Sequence, residues 1–556
     1  MIKKFALALV MFIPIVLSAQ TGYILYRNMD NGKPVGRTTV VIFDNGMAQL
    51  NPESANKEKS YVDYNNKQTI QIVENKENNF IGIKTPFNDN PTAKFENTDV
   101  KILGYPTKKV TYVINSNTIE VYYNENLKIK GTPGFRQLPQ LGTVLKVITN
   151  GNRVVEAVEL KEGKYNNAQL NFPKSVNYVT NEGVFTKAII ESRYTTINIF
   201  NNDTINFSDK YPKVFPSQKD RVYHYANGNI ILKRIQLPEL KDDDAVFITV
   251  TQKSNGDAYD RTGAVFAIPV AEGEALMKAF EKNDLKVLPA YKARNGKEYR
   301  GMTDHKDFNV PYELMRFFTP FGVGAYNQRM QIDGYRWPDS ASYSQDITDL
   351  KKALSGKEVY MMLSVNNYDG GGHIASLDVK IFPNSSNKNA VAGNSNYHKM
   401  LFNTTNVAES MGQGLGDMFG KDSLKVNFTL DKPLKDAFLR YTSTGWGGWG
   451  NGDEFLPKIN DIFLNNKKVF SFIPWRSDCI TYRNLNPVSG NFGNGLSSSD
   501  LSRSNWCPGT TTNPIHIPLG NLQPGKYTVT VAIPMGEPEG NSYSGWNVSG
   551  LLEGVQ

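Results

Sequence analysis

Cysteine and histidine are scarce in this chain. Two cysteines, Cys479 and Cys507, and five histidines, at 224, 305, 373, 398 and 516, are spread over 556 residues. No H-x-H, H-E-x-x-H or C-x-x-C pattern occurs, so the usual scaffolds for zinc or copper are missing and no metal ligand set is assigned. A copper monooxygenase built on paired sandwiches would need clustered histidines that this spacing does not offer. Long apolar runs are equally rare. Beyond the first 19 residues no stretch of about 18 apolar residues appears, so no membrane anchor is expected. Charge is only mildly one-sided, at +8, with no basic block, which gives no footprint for nucleic acid. Long amphipathic helices are few as well. Alternating Thr, Val, Tyr and Phe take their place, and these favour strands.

Residues 1–19 have the pattern of a signal peptide. Lys3 and Lys4 precede an apolar stretch from Phe5 to Leu17, and Leu17-Ser18-Ala19 offers a small-residue cleavage site before Gln20. The mature chain is therefore expected to be secreted or periplasmic, with its formal charge reduced from +8 to +6. In an exported chain an even pair of cysteines invites one disulfide, stabilising by roughly 3 kcal/mol through loop closure. Two free thiols are the alternative.

The length exceeds what one core supports, and two to four domains are expected. Residues 20–240 carry many short strands with turn dipeptides between them, for example Val144 to Thr149 and Asn152 to Glu156 around Asn150-Gly151. This reads as a mainly-β accessory domain that binds or shields. Residues 241–388 form a second β region, with one short helix from Glu274 to Lys282. A polar stretch from Pro383 to Asn396 marks a linker or surface loop before a third β region, 389–556.

The stretch from Ala437 to Gly509 stands apart. It begins as a strand and then reads S-T-G-W-G-G-W-G-N-G-D-E-F, passes both cysteines and closes on S-R-S-N-W-C-P-G. Glycines allow positive φ or close backbone approach. Trp446 and Trp449 among them, followed by Asp453 and Glu454, suggest a sugar-facing loop, because indole stacks on the apolar face of a sugar ring. A glycine-rich turn with its tryptophans folded underneath is the bland alternative.

Over residues 245–545 the chain resembles the bacterial peptide-N-glycosidase F family. The resemblance rests on S-T-G-W-G at 443–447, D-E-F at 453–455, L-N-N at 464–466 and S-R-S-N-W-C-P-G at 502–509. Y-D-R at 259–261, F-F-T-P-F-G-V-G at 317–324 and D-I-T-D-L-K-K-A-L-S-G at 346–356 add to it. It implies an all-β fold: two side-by-side antiparallel jelly-roll β-sandwiches, here preceded by an additional mainly-β N-terminal domain. It also implies hydrolysis of the amide between N-acetylglucosamine and asparagine in an N-linked glycoprotein or glycopeptide, without a cofactor, by a monomer. Carried over residue by residue, the catalytic group would be Asp260, Glu454 and Arg503. Tyr259, Arg261, Trp446, Trp449 and Trp506 would meet the substrate, and Cys479 would pair with Cys507. The family's third acid, in a T-E-T-W segment, has no counterpart: Ser364 or Val365 stands at its position and Asn366 or Asn367 near its tryptophan, and Asn366 and Asp369, the nearest acid, reaching in from the loop, are expected to bind substrate there. A non-catalytic glycan-binding protein on the same fold is the competing reading.

An amide is a poor electrophile, so its hydrolysis needs an activated water and support for the developing oxyanion. Asp260 is the expected base. An ordinary aspartate titrates near ~4 and is weak at neutral pH, so burial would have to raise it. Glu454 would recognise the asparagine amide or share the proton transfer, and Arg503 would be a fixed donor fork. Asp453 is expected to be a turn residue.

Overall fold

The computed structural model describes residues 20–556 except 37, 55, 76, 89–91, 135–137, 167, 295, 384–394, 406–409, 415, 421, 448–451, 491–492, 494, 537–541 and 543. Residues 1–19, expected as a signal peptide, Trp449 and most of the polar stretch after Pro383 lie outside the described residues. The chain divides into two compact units, Met1–Arg193 and Tyr194–Gln556.

The first unit is built on one 13-stranded sheet. Thr21–Asp30 lies inside it, antiparallel to Arg153–Glu162 on one side and Thr39–Asp44 on the other. Ile24, Tyr26, Val41 and Leu145 are fully buried in its core. The Asn150-Gly151 hairpin forms as the dipeptide implies: both residues take positive φ, 51° and 74°, and Lys146 faces Glu156. The helix Glu182–Arg193 ends the unit.

The second unit contains the two side-by-side antiparallel sandwiches. In the first sandwich, one sheet runs Thr195–Ile205, His373–Phe382, Ala245–Ser254, Ala341–Asp346. The opposing sheet runs Val222–Tyr225, Ile230–Gln236, Glu358–Val365, Thr262–Pro269, Tyr312–Phe318, Thr511–Thr512. Strict alternation of buried and half-buried residues along His373–Phe382 shows a sheet with one face on the core. The helix Glu274–Lys282 forms where expected and adds Leu276, Met277, Ala279 and Phe280 to that core. The second sandwich stacks Tyr397–Asn403, Ser544–Val555, Leu434–Gly447 and Ile515–Leu522 on Leu424–Leu430, Gly525–Ala532, Asn460–Leu464 and Lys467–Phe472.

Two local expectations are corrected. The break between units falls at Arg193, not near residue 240. Thr195–Ile205 pairs along His373–Phe382, and Ile230–Gln236 along Glu358–Val365, so residues 194–240 complete the first sandwich. These strands find their partners more than a hundred residues away, which local turn signals do not register. The strand beginning near Ala437 also does not stop at the glycines. It continues to Gly447 because Ser544–Val555 extends beside it, with Gly445 facing Trp546.

The sandwiches are fastened by buried charge. Arg316 is fully buried, and its Nε and Nη2 donate to Glu313 at 2.7 and 2.9 Å. Its Nη1 donates across to Thr444 Oγ1 and the Asn547 carbonyl of the other sandwich. Arg440 returns the contact, donating to Asp349 at 2.9 Å and to the Glu313 carbonyl at 3.0 Å. Removing one partner from such a network strands a buried charge, at a cost of about 3–5 kcal/mol. A chain of residues 194–556 should therefore fold cooperatively, whereas 241–556 should not, lacking three sheet strands. Thermal melts followed by circular dichroism compare them, and equal melts would show the strands to be dispensable.

Candidate active site

Asp260 sits just before the strand Thr262–Pro269. Its position is fixed from both sides by Thr319: the hydroxyl accepts from Arg261 N at 2.8 Å and donates to the Tyr259 carbonyl at 3.3 Å. Thr319 N in turn donates to the Arg261 carbonyl. Next to it, Phe318 exchanges backbone hydrogen bonds with Gly509 and Thr510. The F-F-T-P motif is thus a hinge plate. One residue holds the Asp260 turn, and its neighbour holds the segment just after Cys507, where the Cys479–Cys507 disulfide closes its loop.

That loop delivers Arg503, whose backbone exchanges hydrogen bonds with Arg476. The Arg503 side chain is 1 % exposed. Its guanidinium carbon lies 4.8 Å from the Trp506 ring centre and 5.1 Å from that of Phe455. Nε donates to Glu454 Oε1 at 2.9 Å, while Nη2 lies 3.6 Å from Asp260 Oδ2. The two acids, from different sandwiches, therefore share one buried cation.

Glu454 is equally constrained. Its Oε2 accepts from Gly447 N at 3.1 Å, and its own N–H donates to the Gly447 carbonyl. Gly447 has φ of +77°, a conformation that favours glycine. Gly445 is required for a different reason. A Cβ there would lie 2.6 Å from the Asp453 carbonyl oxygen and 2.9 Å from Ser504 Cβ. Asp453 is more than the expected turn residue. It is fully buried, accepts from Trp546 Nε1 at 2.7 Å and from Gly536 N, and so anchors the segment that presents Glu454. Burial pushes the Asp453 carboxyl above the usual carboxylate range.

Burial dominates the electrostatics of Asp260 too. It raises the carboxyl, the Arg503 charge opposes that rise, and the Glu454 charge reinforces it, leaving the group at about 7. Three residues earlier, Asp257 moves the opposite way, to about 2. Burial there is overcome by His373 and by Arg261, whose Nε and Nη2 donate at 2.6 and 3.1 Å. Asp257 is thereby held as the ionised partner of Arg261, while Asp260 keeps a proton affinity near neutrality.

The remaining expected substrate contacts divide. Tyr259 is 62 % exposed, and the Arg261 guanidinium carbon lies 5.2 Å from its ring centre. Trp446 is half-buried at the end of its strand. Trp506 offers no open face to a sugar. It is 3 % exposed, stacks on Phe318 with ring centres 4.0 Å apart, and donates from Nε1 to the Gly445 carbonyl. Its position beneath Arg503, closed in by Phe318, makes it a support. Asp369 does not reach into the site either: Oδ1 accepts from Gly371 N and Gly372 N, both at 2.8 Å, which shapes its own turn. Asn366 Oδ1 is engaged by the Ser410 hydroxyl. The open aromatic of that segment is Tyr368, 78 % exposed, with the Arg261 guanidinium carbon 6.0 Å from its ring. Sequence reasoning passed over Tyr368, Thr319 and Asp257. A lone aromatic in N-N-Y-D-G-G-G and a second acid in D-A-Y-D were the available signals.

The titration of Asp260 can be followed by carboxyl-labelled NMR. Glu454→Gln removes a repelling charge and should lower its midpoint from about 7; an unchanged midpoint would mean the two acids do not sense each other. Because the native state retains this proton after the unfolded chain has lost it, the group's contribution to stability falls as pH rises from about 4 to about 7. Asp260→Asn should flatten that part of the stability profile, as read by denaturant titration.

Comparison with known proteins places this arrangement in a family. Models described as peptide-N-glycosidase F, N terminal and C terminal, match residues 196–381 and 415–553, and one described as N-glycanase peptide, N-terminal domain, matches 36–182. Two crystal forms of PNGF-II are each 42 % identical to this chain. The P21 form covers 97 % of this chain and 100 % of its own, with a TM-score of 0.86, and the C2 form gives 97 %, 98 % and 0.83. PNGase F, a glycosylasparaginase from Flavobacterium meningosepticum, is 16 % identical, over 65 % of this chain and 95 % of its own, with a TM-score of 0.41. No curated protein matches the chain. The chain belongs to the peptide-N-glycosidase F family, in the longer form that carries an additional N-terminal domain.

Proposed function

We propose that this protein is an exported glycoamidase. It hydrolyses the amide between N-acetylglucosamine and asparagine in N-glycoproteins or glycopeptides, releasing the glycan and leaving aspartate. The observation that carries this reading is the sharing of the buried Arg503 by Asp260 and Glu454, one acid from each sandwich.

Asp260, with its proton affinity near neutrality, takes a proton from a water whose oxygen attacks the side-chain carbonyl carbon of the asparagine. Arg503 holds positive charge close to the oxyanion that develops, and its packing against Phe455 and Trp506 keeps it in place beforehand. Glu454, clamped by Gly447 N and Arg503, presents a fixed carboxylate to the amide N–H. Collapse of the intermediate breaks the C–N bond. The nitrogen leaves with the sugar as a glycosylamine, taking up the proton, and later sheds ammonia. No cofactor enters these steps. Among the described residues no helix is long and apolar enough to cross a membrane, and the N-terminal pattern of residues 1–19 supports export.

The purified protein should release glycans from a denatured N-glycoprotein, with asparagine converted to aspartate by mass spectrometry. Asp260→Asn should lower kcat/KM by about 10²–10⁴-fold, the range for loss of a general base, while the protein still unfolds in one cooperative transition. Full activity in this variant would remove Asp260 as the base. For the unmodified protein, kcat/KM should rise with pH and level off above about 7, as Asp260 loses its proton. No release from any N-glycoprotein would leave the non-catalytic glycan-binding reading in its place.

A further inference from the structure

Beside Asp260 the first sandwich carries an open strip of rings. Tyr259, Tyr368 and Phe207 are 62 %, 78 % and 39 % exposed. The Arg261 guanidinium lies near both tyrosine rings, and the Phe207 ring centre is 5.8 Å from that of Tyr368. The strip is therefore continuous, from the residue next to Asp260 outward to Phe207. Large rings left in water are costly, and a contiguous exposed apolar patch marks a binding surface.

The strip is also held rigid from below. Asn367, fully buried, donates to Asn229 Oδ1 and to the Val365 carbonyl, and Asp369 caps the next turn. Tyr368 stands between them, on backbone anchored at both sides. The Phe207 loop is stapled to the same turn: Phe207 N donates to the Asp369 carbonyl at 2.9 Å, and Asn206 Nδ2 to the Gly370 carbonyl at 2.7 Å. Beneath Tyr259, Asp257 grips the Arg261 fork. A backbone ordered before binding loses little entropy when a ligand arrives.

We propose that Phe207 and Tyr368 form an outer carbohydrate subsite, occupied by sugar rings beyond the two N-acetylglucosamines nearest the asparagine. This rests on the glycoamidase reading. A pyranose ring presents an apolar C–H face, which matches the faces of Tyr368 and Phe207, while its hydroxyls at the rim stay in water. Continuity with Tyr259 and Asp260 favours the glycan of the same substrate as the occupant. Phe207 then sets how strongly an extended glycan is preferred over a truncated one.

The test compares two glycopeptides with the same peptide, one carrying a full-length oligosaccharide and the other only two N-acetylglucosamines. Phe207→Ala should lower kcat/KM on the long glycan about ten-fold more than on the short one, equivalent to about 1.4 kcal/mol. An equal loss on both, or no loss on either, would overturn the proposal. Binding of the free full-length oligosaccharide, measured by saturation-transfer NMR, separates this outcome from failure of the glycoamidase reading. If the unmodified protein releases nothing from either glycopeptide, that reading fails by itself. The subsite then stands if Phe207→Ala weakens oligosaccharide binding and falls if the affinity is unchanged or no binding is seen. Phe207 is a surface ring, so an unaltered melting curve is the expected control.

Discussion

A single buried cation sets the terms for this site. Arg503 is almost wholly removed from water, and a charge so placed demands partners. Glu454 supplies a hydrogen-bonded carboxylate at 2.9 Å, and Asp260 stands further off at 3.6 Å. The difference matters. A second close ion pair would pull the Asp260 carboxyl down and leave it an ordinary, weakly basic group. Held at a longer distance, and facing the Glu454 charge in a dry setting, it rises instead to about 7. The two carboxylates thus meet one guanidinium differently, Glu454 through a hydrogen bond and Asp260 from a longer distance.

The supports of Arg503 reach deep into both sandwiches. Trp506 and Phe455 flank it, Trp506 stacks on Phe318, and Phe318 is next to Thr319, which fixes the Asp260 turn. A displacement of the disulfide loop is therefore transmitted to both acids through contacts that do not compress. Farther away, Arg316 and Arg440 tie the sandwiches together through Glu313 and Asp349. Buried ion pairs give little net stability when compared with apolar packing, but they tolerate no mismatch in register. Such pairs suit a boundary on which the spacing between two acids depends.

This explains why certain short motifs carried the family resemblance. F-F-T-P-F-G-V-G, D-I-T-D-L and the run ending in T-S-T-G-W-G are the segments where one sandwich touches the other or where the site is clamped. Phe318 and Thr319 come from the first motif, Asp349 from the second, and Thr444 and Gly445 from the third. Aromatic residues were less legible. Trp506, which the resemblance made a substrate contact, is a buried support, whereas Tyr368, in a polar turn, stands open. Composition does not say which face of a ring the neighbouring sandwich covers.

Strand alternation, the Asn150-Gly151 turn, the short helix at Glu274–Lys282 and the availability of two cysteines for one bond were determined by the sequence itself, because each follows from local periodicity, backbone preference or a count. Tertiary structure alone decided that Thr195–Ile205 and Ile230–Gln236 belong to the first sandwich, that Asp453 is an anchor, and that Asp260 is lifted while Asp257 is depressed. These outcomes depend on pairing across hundreds of residues and on the exclusion of water. Both come into being only when distant strands close over the same core.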